Sequence, residues 1–160
     1  MPQILIGTAS WTDQTLINSG RFYSAHVQTA EARLQYYASQ FLLVEVDSSY
    51  YSLPSRRNSF LWVERTPPDF TFDIKAFRLF TRHPTPRNAL PKDIRASLPS
   101  PDPNAQRRNL YWRDLSDEAS QELWRRFEGA IEPLHSAGKL GVVLFQFPPW
   151  FFPGQESKEY

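Results

Sequence analysis

The sequence predicts an α/β domain with parallel strands. Short apolar runs typical of strands alternate with amphipathic segments typical of helices along most of the 160 residues. This alternation favours parallel strands joined by right-handed helical crossovers. Polar side chains follow the ends of three predicted strands, where parallel α/β folds place their functional groups. A chain of this length suits one domain, covering residues 1–160, and is short for two.

Charge and composition exclude several classes of protein. Eighteen Lys and Arg against 17 Asp and Glu give a formal charge of +1, so no overall charge draws the chain to nucleic acid or anionic membranes. The absence of cysteine excludes disulfides, thiolate chemistry and Cys-based zinc sites. The N-terminus lacks the charged and apolar regions of a secretory signal, and no run reaches the ~20 apolar residues of a membrane span. We therefore expect a cytoplasmic protein that does not bind membranes.

The first strand and helix are predicted before residue 41. Residues 4–8 form a short apolar run that leads into a loop at Ser10 and Trp11. Thr29 is suited to cap a helix over about residues 30–40, because apolar side chains there recur at helical spacing.

A strand that ends in carboxylates is predicted at residues 42–51. Successive side chains of a strand alternate between faces, so Glu45 and Asp47 share one face while Val44 and Val46 share the other. Charged groups are rarely buried unless they are paired or functional. An apolar strand that ends in carboxylates therefore indicates the edge of a site.

A second helix and a third strand follow. Ser55 is suited to cap a helix that runs to about residue 65, where two prolines stop it. Residues 70–75 then alternate between apolar and polar side chains, which predicts a strand that ends at Lys75.

A long insertion separates this strand from the last helix and strand. Residues 82–115 are rich in proline, and we expect an insertion or long loop with little regular structure. Ser116 can cap a third helix, which Pro133 is expected to kink or shorten. Residues 140–146 are predicted to form the fourth strand, with Gln146 at its polar end.

The polar strand ends define the candidate active site. Because the carboxyl ends of parallel strands lie at one edge of a sheet, Glu45, Asp47, Lys75 and Gln146 are expected to converge. We take the first three as catalytic candidates, with a carboxylate as general base and the lysine as a partner for an anionic group. Gln146 is a candidate for orienting a substrate through its amide, or for an ordinary hydrogen bond to a neighbouring loop.

The same charged residues allow other interpretations. Glu45, Asp47 and Lys75 could form an internal ion-pair network with no further role. Two carboxylates supply too few oxygens for a dedicated Ca²⁺ or Mg²⁺ site unless substrate and water complete the shell. A Schiff base at Lys75 is disfavoured, because nearby carboxylates oppose the depressed pKa that this chemistry requires. The sequence contains no histidine metal motif and no Gly-rich phosphate loop, so it identifies no cofactor.

Aromatic and hydroxyl side chains flank the predicted strand ends. Ser10, Trp11, Tyr50 and Tyr51 are candidates for binding a substrate, because aromatic groups beside polar ones are common in ligand sites. In a chain that is 15% aromatic, such residues also pack loops and cores. We favour packing for Trp11 and leave both roles open for the tyrosines.

The insertion suggests a competing, noncatalytic function. Residues 82–113 carry seven basic and two acidic residues, a local charge of +5, with Tyr111 and Trp112 among them. Basic residues interleaved with aromatic ones are found in proteins that bind nucleic acid. We favour a solvated surface loop, because the basic residues are scattered and match no recognition fold.

Several segments together resemble the YecE-like family, also called domain of unknown function 72. The matching stretches include IGTASW at residues 6–11, VEVDSSYYSLP at 44–54, FTFDIKA at 70–76 and LFQFPP at 144–149, with further matches at 22–23, 36–41, 62 and 65–67. Their order and spacing extend over nearly the whole chain.

The resemblance implies a TIM (β/α)8 barrel of which this chain covers about the N-terminal half, strands one to four. It implies no reaction, because the family has no established activity. Asp47 stands where the family more often has Asn, Ser49 where it has Thr, and Tyr50 where it has Phe. Four strands leave apolar surface and a strand edge uncovered, so we expect self-association if the chain is truncated.

Overall fold

The computed structural model describes residues 4–99, 109–152 and 154–158. The strands are β1 (Gly7–Ala9), β2 (Leu43–Val46), β3 (Thr71–Lys75), β4 (Thr85–Pro86), β5 (Asn109–Leu110) and β6 (Leu140–Leu144). The helices are α1 (Gln14–Asn18), α2 (Ala30–Gln40), α3 (Ser48–Tyr51), α4 (Arg56–Glu64), α5 (Lys92–Ser97), α6 (Asp117–Ser136) and α7 (Gln155–Lys158). None of the described helices has the length and hydropathy needed to span a bilayer.

A four-stranded sheet in the order β1-β2-β3-β6 forms the centre of the fold. All three strand pairs are parallel, which confirms the predicted α/β class. The sheet is open, with β1 and β6 as its edges within the described residues, so it does not close into a barrel. Strands β4 and β5 form a separate antiparallel pair within the insertion.

Close approach of β1 to β2 depends on Gly7. A Cβ atom at this position would lie 2.0 Å from the carbonyl oxygen of Leu43, so a larger residue would push the two strands apart. The buried hydroxyl of Tyr37 accepts a hydrogen bond from the Thr8 N–H at 2.7 Å and donates one to the Leu43 carbonyl at 3.1 Å. Helix α2 is thereby fixed against the beginning of both strands.

One face of the sheet is covered by helices and forms the core. Val44 and Val46 of β2 and Phe72 and Ile74 of β3 are at most 1% exposed. Apolar side chains of α2, α4 and α6 pack against them, and α4 also packs on α6. Burial of this apolar area is the main contribution to the stability of the fold.

The other face of the sheet is partly open. Glu45, Asp73 and Lys75 lie on it at intermediate exposure, while Val142 is 60% and Leu144 39% exposed. The period-two alternation of strands thus places the core residues and the candidate catalytic residues on opposite faces. We call this second surface the open face.

The predicted helix caps are confirmed. The hydroxyls of Thr29, Ser55 and Ser116 each accept a hydrogen bond from a backbone N–H of the first turn, at 3.0, 3.1 and 3.3 Å. A hydroxyl at this position satisfies a donor that has no partner within the helix. Helix α1 was missed, although Asp13 caps it in the same way through two backbone N–H groups.

Two strand predictions are wrong in extent. Pairing of β1 begins at Gly7 and not at residue 4, and Ile4 and Ile6 are 86% and 70% exposed. The predicted strand over residues 42–51 ends at Val46, and Ser48–Tyr51 form the short helix α3. The chain turns there because the buried Ser49 hydroxyl contacts carbonyl oxygens at the ends of both β2 and β3.

The insertion and the last helix also differ from expectation. Residues 82–115 contain the β4–β5 pair, helix α5 and two 3₁₀ turns, and Leu90, Ile94 and Leu110 join the core. The prolines of this segment predicted irregular structure. Burial of these apolar side chains stabilises regular structure in its described parts. Helix α6 continues through Pro133 to Ser136, because a proline in the last turn removes only one intrahelical hydrogen bond.

Candidate functional site

The candidate site lies at the carboxyl ends of β2 and β3. Glu45 lies within β2, Asp47 follows that strand by one residue, and Lys75 is the last residue of β3. Side chains two positions apart in a strand point to the same face. Glu45 and Lys75 therefore share the open face with the residues two positions before them in their strands. The structure therefore brings the three candidate catalytic residues together.

The Lys75 ammonium lies between the two carboxylates. Its Nζ atom is 2.9 Å from Asp47 Oδ1 and 3.9 Å from Glu45 Oε1. The lysine side chain is 15% exposed and each carboxylate side chain 30%, so the group is partly shielded from water. The Tyr50 ring lies below the ammonium, with its centroid 5.0 Å from Nζ. We call these four residues the strand-end cluster.

The pKa of Lys75 lies above its ordinary value. Burial alone would lower it, but the hydrogen bond that the ammonium donates to Asp47 and the charges of Asp47 and Glu45 outweigh that effect. The lysine is therefore a cation at neutral pH, which suits an anionic partner and does not suit a nucleophilic amine.

Tyr50 connects the cluster to Arg78 and His83. The Arg78 guanidinium carbon lies 5.4 Å from the Tyr50 ring centroid, and the His83 ring centroid lies 5.3 Å from it. Burial, together with the positive charges of Arg78 and Lys75, lowers the pKa of His83. Burial raises the pKa of Tyr50 against the effect of the same two cations. A neutral imidazole beside two cations is a possible proton acceptor.

The sequence did not single out Arg78, His83 or Ser49 as site residues. The wide spacing of the three histidines in the sequence indicates no role for His83, yet the turn after β3 places it beside Tyr50. Ser49 Oγ lies 2.6 Å from the carbonyl oxygens of both Val46 and Lys75, so it joins the two strand ends. For Ser49, the one available signal was a hydroxyl three residues after the end of β2.

Ser10 lies near the cluster, in a strained conformation. Its φ angle is 81°, which is uncommon for a residue other than glycine, and its N–H donates to the Glu45 carbonyl at 2.9 Å. Such conformations cost free energy and often occur at functional sites. Tyr51 is 56% exposed, with its ring centroid 5.1 Å from that of Tyr50.

Trp11 and Gln146 are not brought to the cluster. Trp11 is 8% exposed and packs edge-on against Trp62 and Phe72 on the covered side of the sheet, with ring centroids 5.5 and 6.4 Å away. Gln146 is exposed and lies two residues beyond the end of β6, and no described contact joins it to the cluster.

Asp73 is a third carboxylate on the open face, with a structural contact. Its Oδ1 atom accepts a hydrogen bond from the Val142 N–H at 2.9 Å, where the register between β3 and β6 shifts. Gly141 leaves room for this carboxylate, since a Cβ atom there would lie 2.2 Å from the same oxygen and the Asp73 side chain would have to shift. No group of three or more His, Asp or Glu side chains within the described ranges is placed to hold a metal ion.

Three described basic residues of the insertion lie in two different surroundings. Arg87 donates to the Pro99 carbonyl at 2.6 Å, whereas Arg82 and Arg113 line a separate cavity together with aromatic side chains. Arg107 and Arg108 lie outside the described residues.

The sequence and the fold are similar to those of known proteins. The sequence model of the family "Protein of unknown function DUF72" matches residues 5–160. The UPF0759 protein YunF of Bacillus subtilis (strain 168) is 31% identical over 157 residues, which are 98% of this chain and 44% of YunF.

Two crystal structures of a DUF72 family protein from Enterococcus faecalis V583 have a similar fold. Their TM-scores are 0.62 and 0.55, at 23% and 24% identity, over 97% and 79% of this chain. The matched regions are 43% and 39% of those chains, so this chain spans less than half the length of the relatives.

Proposed function

The chain belongs to the DUF72 family, and from this premise we propose that its strand-end cluster binds a small polar or anionic ligand. One observation carries the proposal, namely that the Lys75 ammonium lies between two carboxylates on a face that helices leave open. Ion pairs add little net stability, because desolvation and solvent screening offset their Coulombic attraction, so stability alone gives little reason to gather three charges here. The carboxyl ends of parallel strands are also the usual place for ligands in α/β folds.

The arrangement of charges limits the chemistry of the ligand. Lys75 and the neighbouring Arg78 offer donors to an anionic oxygen, while Glu45 and Asp47 accept hydrogen bonds from hydroxyl groups. The Tyr50 ring adds an apolar surface beneath them. A ligand with both hydroxyl groups and an anionic group satisfies all of these residues.

The two carboxylates are suited to different roles. Asp47 is the closer partner of Lys75, at 2.9 Å, and holds the ammonium in place. Glu45 is 3.9 Å from the ammonium, beyond hydrogen-bond distance, and is the better candidate for a general base toward a ligand hydroxyl. If the protein is an enzyme, Glu45 is the residue that removes a proton from the ligand.

We also propose that the chain forms the N-terminal half of a TIM barrel. The four parallel strands lie side by side in chain order, as consecutive barrel strands do. The relatives are more than twice as long as the matched region, which leaves length for four more strands. In that arrangement the open face lines the barrel interior and the strand-end cluster lies at its mouth.

Thermal denaturation with a set of probes tests the binding proposal. The set contains inorganic phosphate, hexose phosphates, polyols and dicarboxylates. We expect at least one probe to raise the melting temperature by about 2–4 °C at saturation. The Lys75→Met and Asp47→Asn variants should lose this shift, whereas Glu45→Gln should retain most of it.

Lys92→Met is the matched control, because Lys92 is an exposed lysine on α5 outside the cluster. It should respond to the probes as the wild type does. The proposal is wrong if no probe gives a saturable shift, or if Lys75→Met responds as strongly as Lys92→Met.

A further inference from the structure

A cavity beside the insertion is lined by residues that have no part in the proposed function. It measures about 440 Å³ and is lined, among the described residues, by Arg82, Tyr111, Trp112, Arg113, Trp150 and Phe151. Its volume lies within the range of roughly 300–1,000 Å³ that is usual for small-ligand pockets. The described lining holds four aromatic side chains and two guanidinium groups.

We propose that this cavity binds a nucleoside monophosphate. Aromatic side chains offer faces on which a base can stack, and arginine donates paired N–H groups to phosphate. The strand-end cluster contributes no residue to the described lining, so the cavity is a second, separate site.

Both arginines lie over aromatic rings of the cavity. The guanidinium carbon of Arg82 lies 5.4 Å from the Phe151 ring centroid, and that of Arg113 lies 5.4 Å from the Tyr111 centroid. A guanidinium held over an aromatic ring has less side-chain freedom to lose when it binds phosphate oxygens. The cavity thus places two oriented cations beside aromatic surfaces.

The backbone of Arg82 is held in an uncommon conformation. Its φ angle is 61°, although most residues other than glycine avoid this region. The turn is stabilised by hydrogen bonds from the N–H groups of Arg82 and His83 to the carbonyls of Leu79 and Arg78. Strain that the surrounding structure maintains is common at binding sites, and here it positions one of the two cations.

The aromatic residues divide into an anchored wall and an exposed one. Trp112 packs against Phe80 and Trp124, with ring centroids 5.8 and 6.5 Å away, and is fixed by the core. Trp150 is 60% exposed, and its ring centroid lies 6.3 Å from that of His83. The exposed Trp150 thus offers a base a surface on which to stack, in a cavity that the fixed Trp112 also lines.

Calorimetric titration of the whole chain with AMP tests the proposal. We expect saturable binding of AMP. Adenosine, which lacks the phosphate, and inorganic phosphate, which lacks the base, should each bind at least about ten-fold more weakly. Arg82→Asn and Arg113→Gln should each weaken AMP binding by about ten-fold or more. Asn is chosen at position 82 because it tolerates a positive φ angle. Trp150→Ala should weaken binding about three-fold or more, through lost stacking.

Two controls separate this site from general effects. Arg57→Gln removes an exposed arginine of α4 that is not among the described lining residues, and it should leave AMP affinity unchanged. Lys75→Met should also leave AMP affinity unchanged, because the two sites are separate. Circular dichroism of each variant establishes that it is folded.

A single-stranded adenine hexanucleotide identifies the source of the nucleotide. Equal affinity for AMP and for the hexanucleotide supports a free mononucleotide, whereas about ten-fold tighter binding of the hexanucleotide, with the same arginine dependence, supports a unit within a strand. The proposal is overturned if AMP does not bind below about 1 mM. It is also overturned if adenosine binds as well as AMP, if the arginine variants match Arg57→Gln, or if a folded Lys75→Met loses AMP.

Discussion

Lys75 and Lys139 lie at opposite ends of the same sheet, in opposite surroundings. Lys75 ends β3, and Lys139 immediately precedes β6, so the first is at the carboxyl ends of the strands and the second at the amino ends. Lys75 faces two carboxylates on the open face. Lys139 is 5% exposed and donates to three neutral oxygens, the carbonyls of Val63 and Thr66 and the Thr66 hydroxyl, at 2.7–2.9 Å.

The difference shows how one residue type serves stability at one end of a sheet and suits a ligand at the other. Lys139 satisfies carbonyl groups at the C-terminal end of α4, which have no partner within the helix. All three of its protons are used, so it can offer nothing to a ligand. Lys75 has charged partners that a competing anion or hydroxyl group can replace.

Removing Lys139 should have the largest effect on stability. Lys139→Met leaves the carbonyls of Val63 and Thr66 buried without their donor, which should lower the free energy of unfolding by about 2–4 kcal/mol. Lys75→Met should lower it by less than about 1 kcal/mol, because water still reaches the partly exposed carboxylates that remain. Urea denaturation at pH 7 measures both values. Equal losses in the two variants would contradict the assignment of separate roles.

Exposed apolar side chains of the open face should cause self-association. Val142 and Leu144 lie on β6, an edge strand within the described part of the sheet. An unpaired edge with apolar neighbours favours contact with another chain. We expect sedimentation velocity to show dimers or larger species, and Val142→Lys to shift them toward monomer at unchanged stability. A monomeric wild type at about 50 µM would contradict this, since contacts of micromolar affinity would be populated there.

The pKa values of the two lysines should lie on opposite sides of the ordinary value for lysine. The pKa of Lys139 is lowered by burial, whereas the partners of Lys75 raise its pKa above 10.5. The contribution of Lys75 to stability is therefore complete below pH 10.5 and is lost as the pH rises through its folded pKa. For Lys139, the unfolded chain binds the proton more tightly, so stability rises as the pH rises from its folded pKa to 10.5.

NMR titration of ¹³C-labelled lysine measures both values directly. The chain contains four lysines, so each signal can be assigned by a single substitution. A midpoint for Lys75 below that of Lys139 would show that the surroundings of the two lysines have been assigned the wrong way round. Asp47→Asn should lower the Lys75 midpoint and leave that of Lys139 in place.

The sequence predicted the parallel sheet and the three capped helices because these depend on local patterns. Thr29, Ser55 and Ser116 are recognisable helix caps. The alternation of side chains along the strands places Val44 and Phe72 on the covered face. The extent of β1 could not be predicted in the same way. Gly7 and Leu43 are 36 positions apart, and their close approach depends on tertiary contact with Tyr37.

The candidate site was predicted only in part, because local patterns locate some of its residues and tertiary contacts place the others. Glu45, Asp47 and Lys75 lie at strand ends that the periodicity locates, so their convergence follows from the parallel sheet. His83 and Arg78 reach Tyr50 through a turn whose shape no local pattern indicates. The role of Lys139 was missed because its partners, Val63 and Thr66, are more than 70 positions away in the sequence.

His83 should report the charge of Lys75, which is the smallest effect expected here. Burial lowers the pKa of His83, and the charges of Arg78 and then Lys75 lower it further. We therefore expect Lys75→Met to move the His83 midpoint upward by a few tenths of a pH unit, while burial and Arg78 keep it below 6.5. Lys139→Met should leave it in place, because Lys139 lies at the other end of the sheet. Proton NMR of the His83 ring measures the shift. An equal shift of the midpoint in both variants would contradict a direct effect of the nearby Lys75 charge on His83.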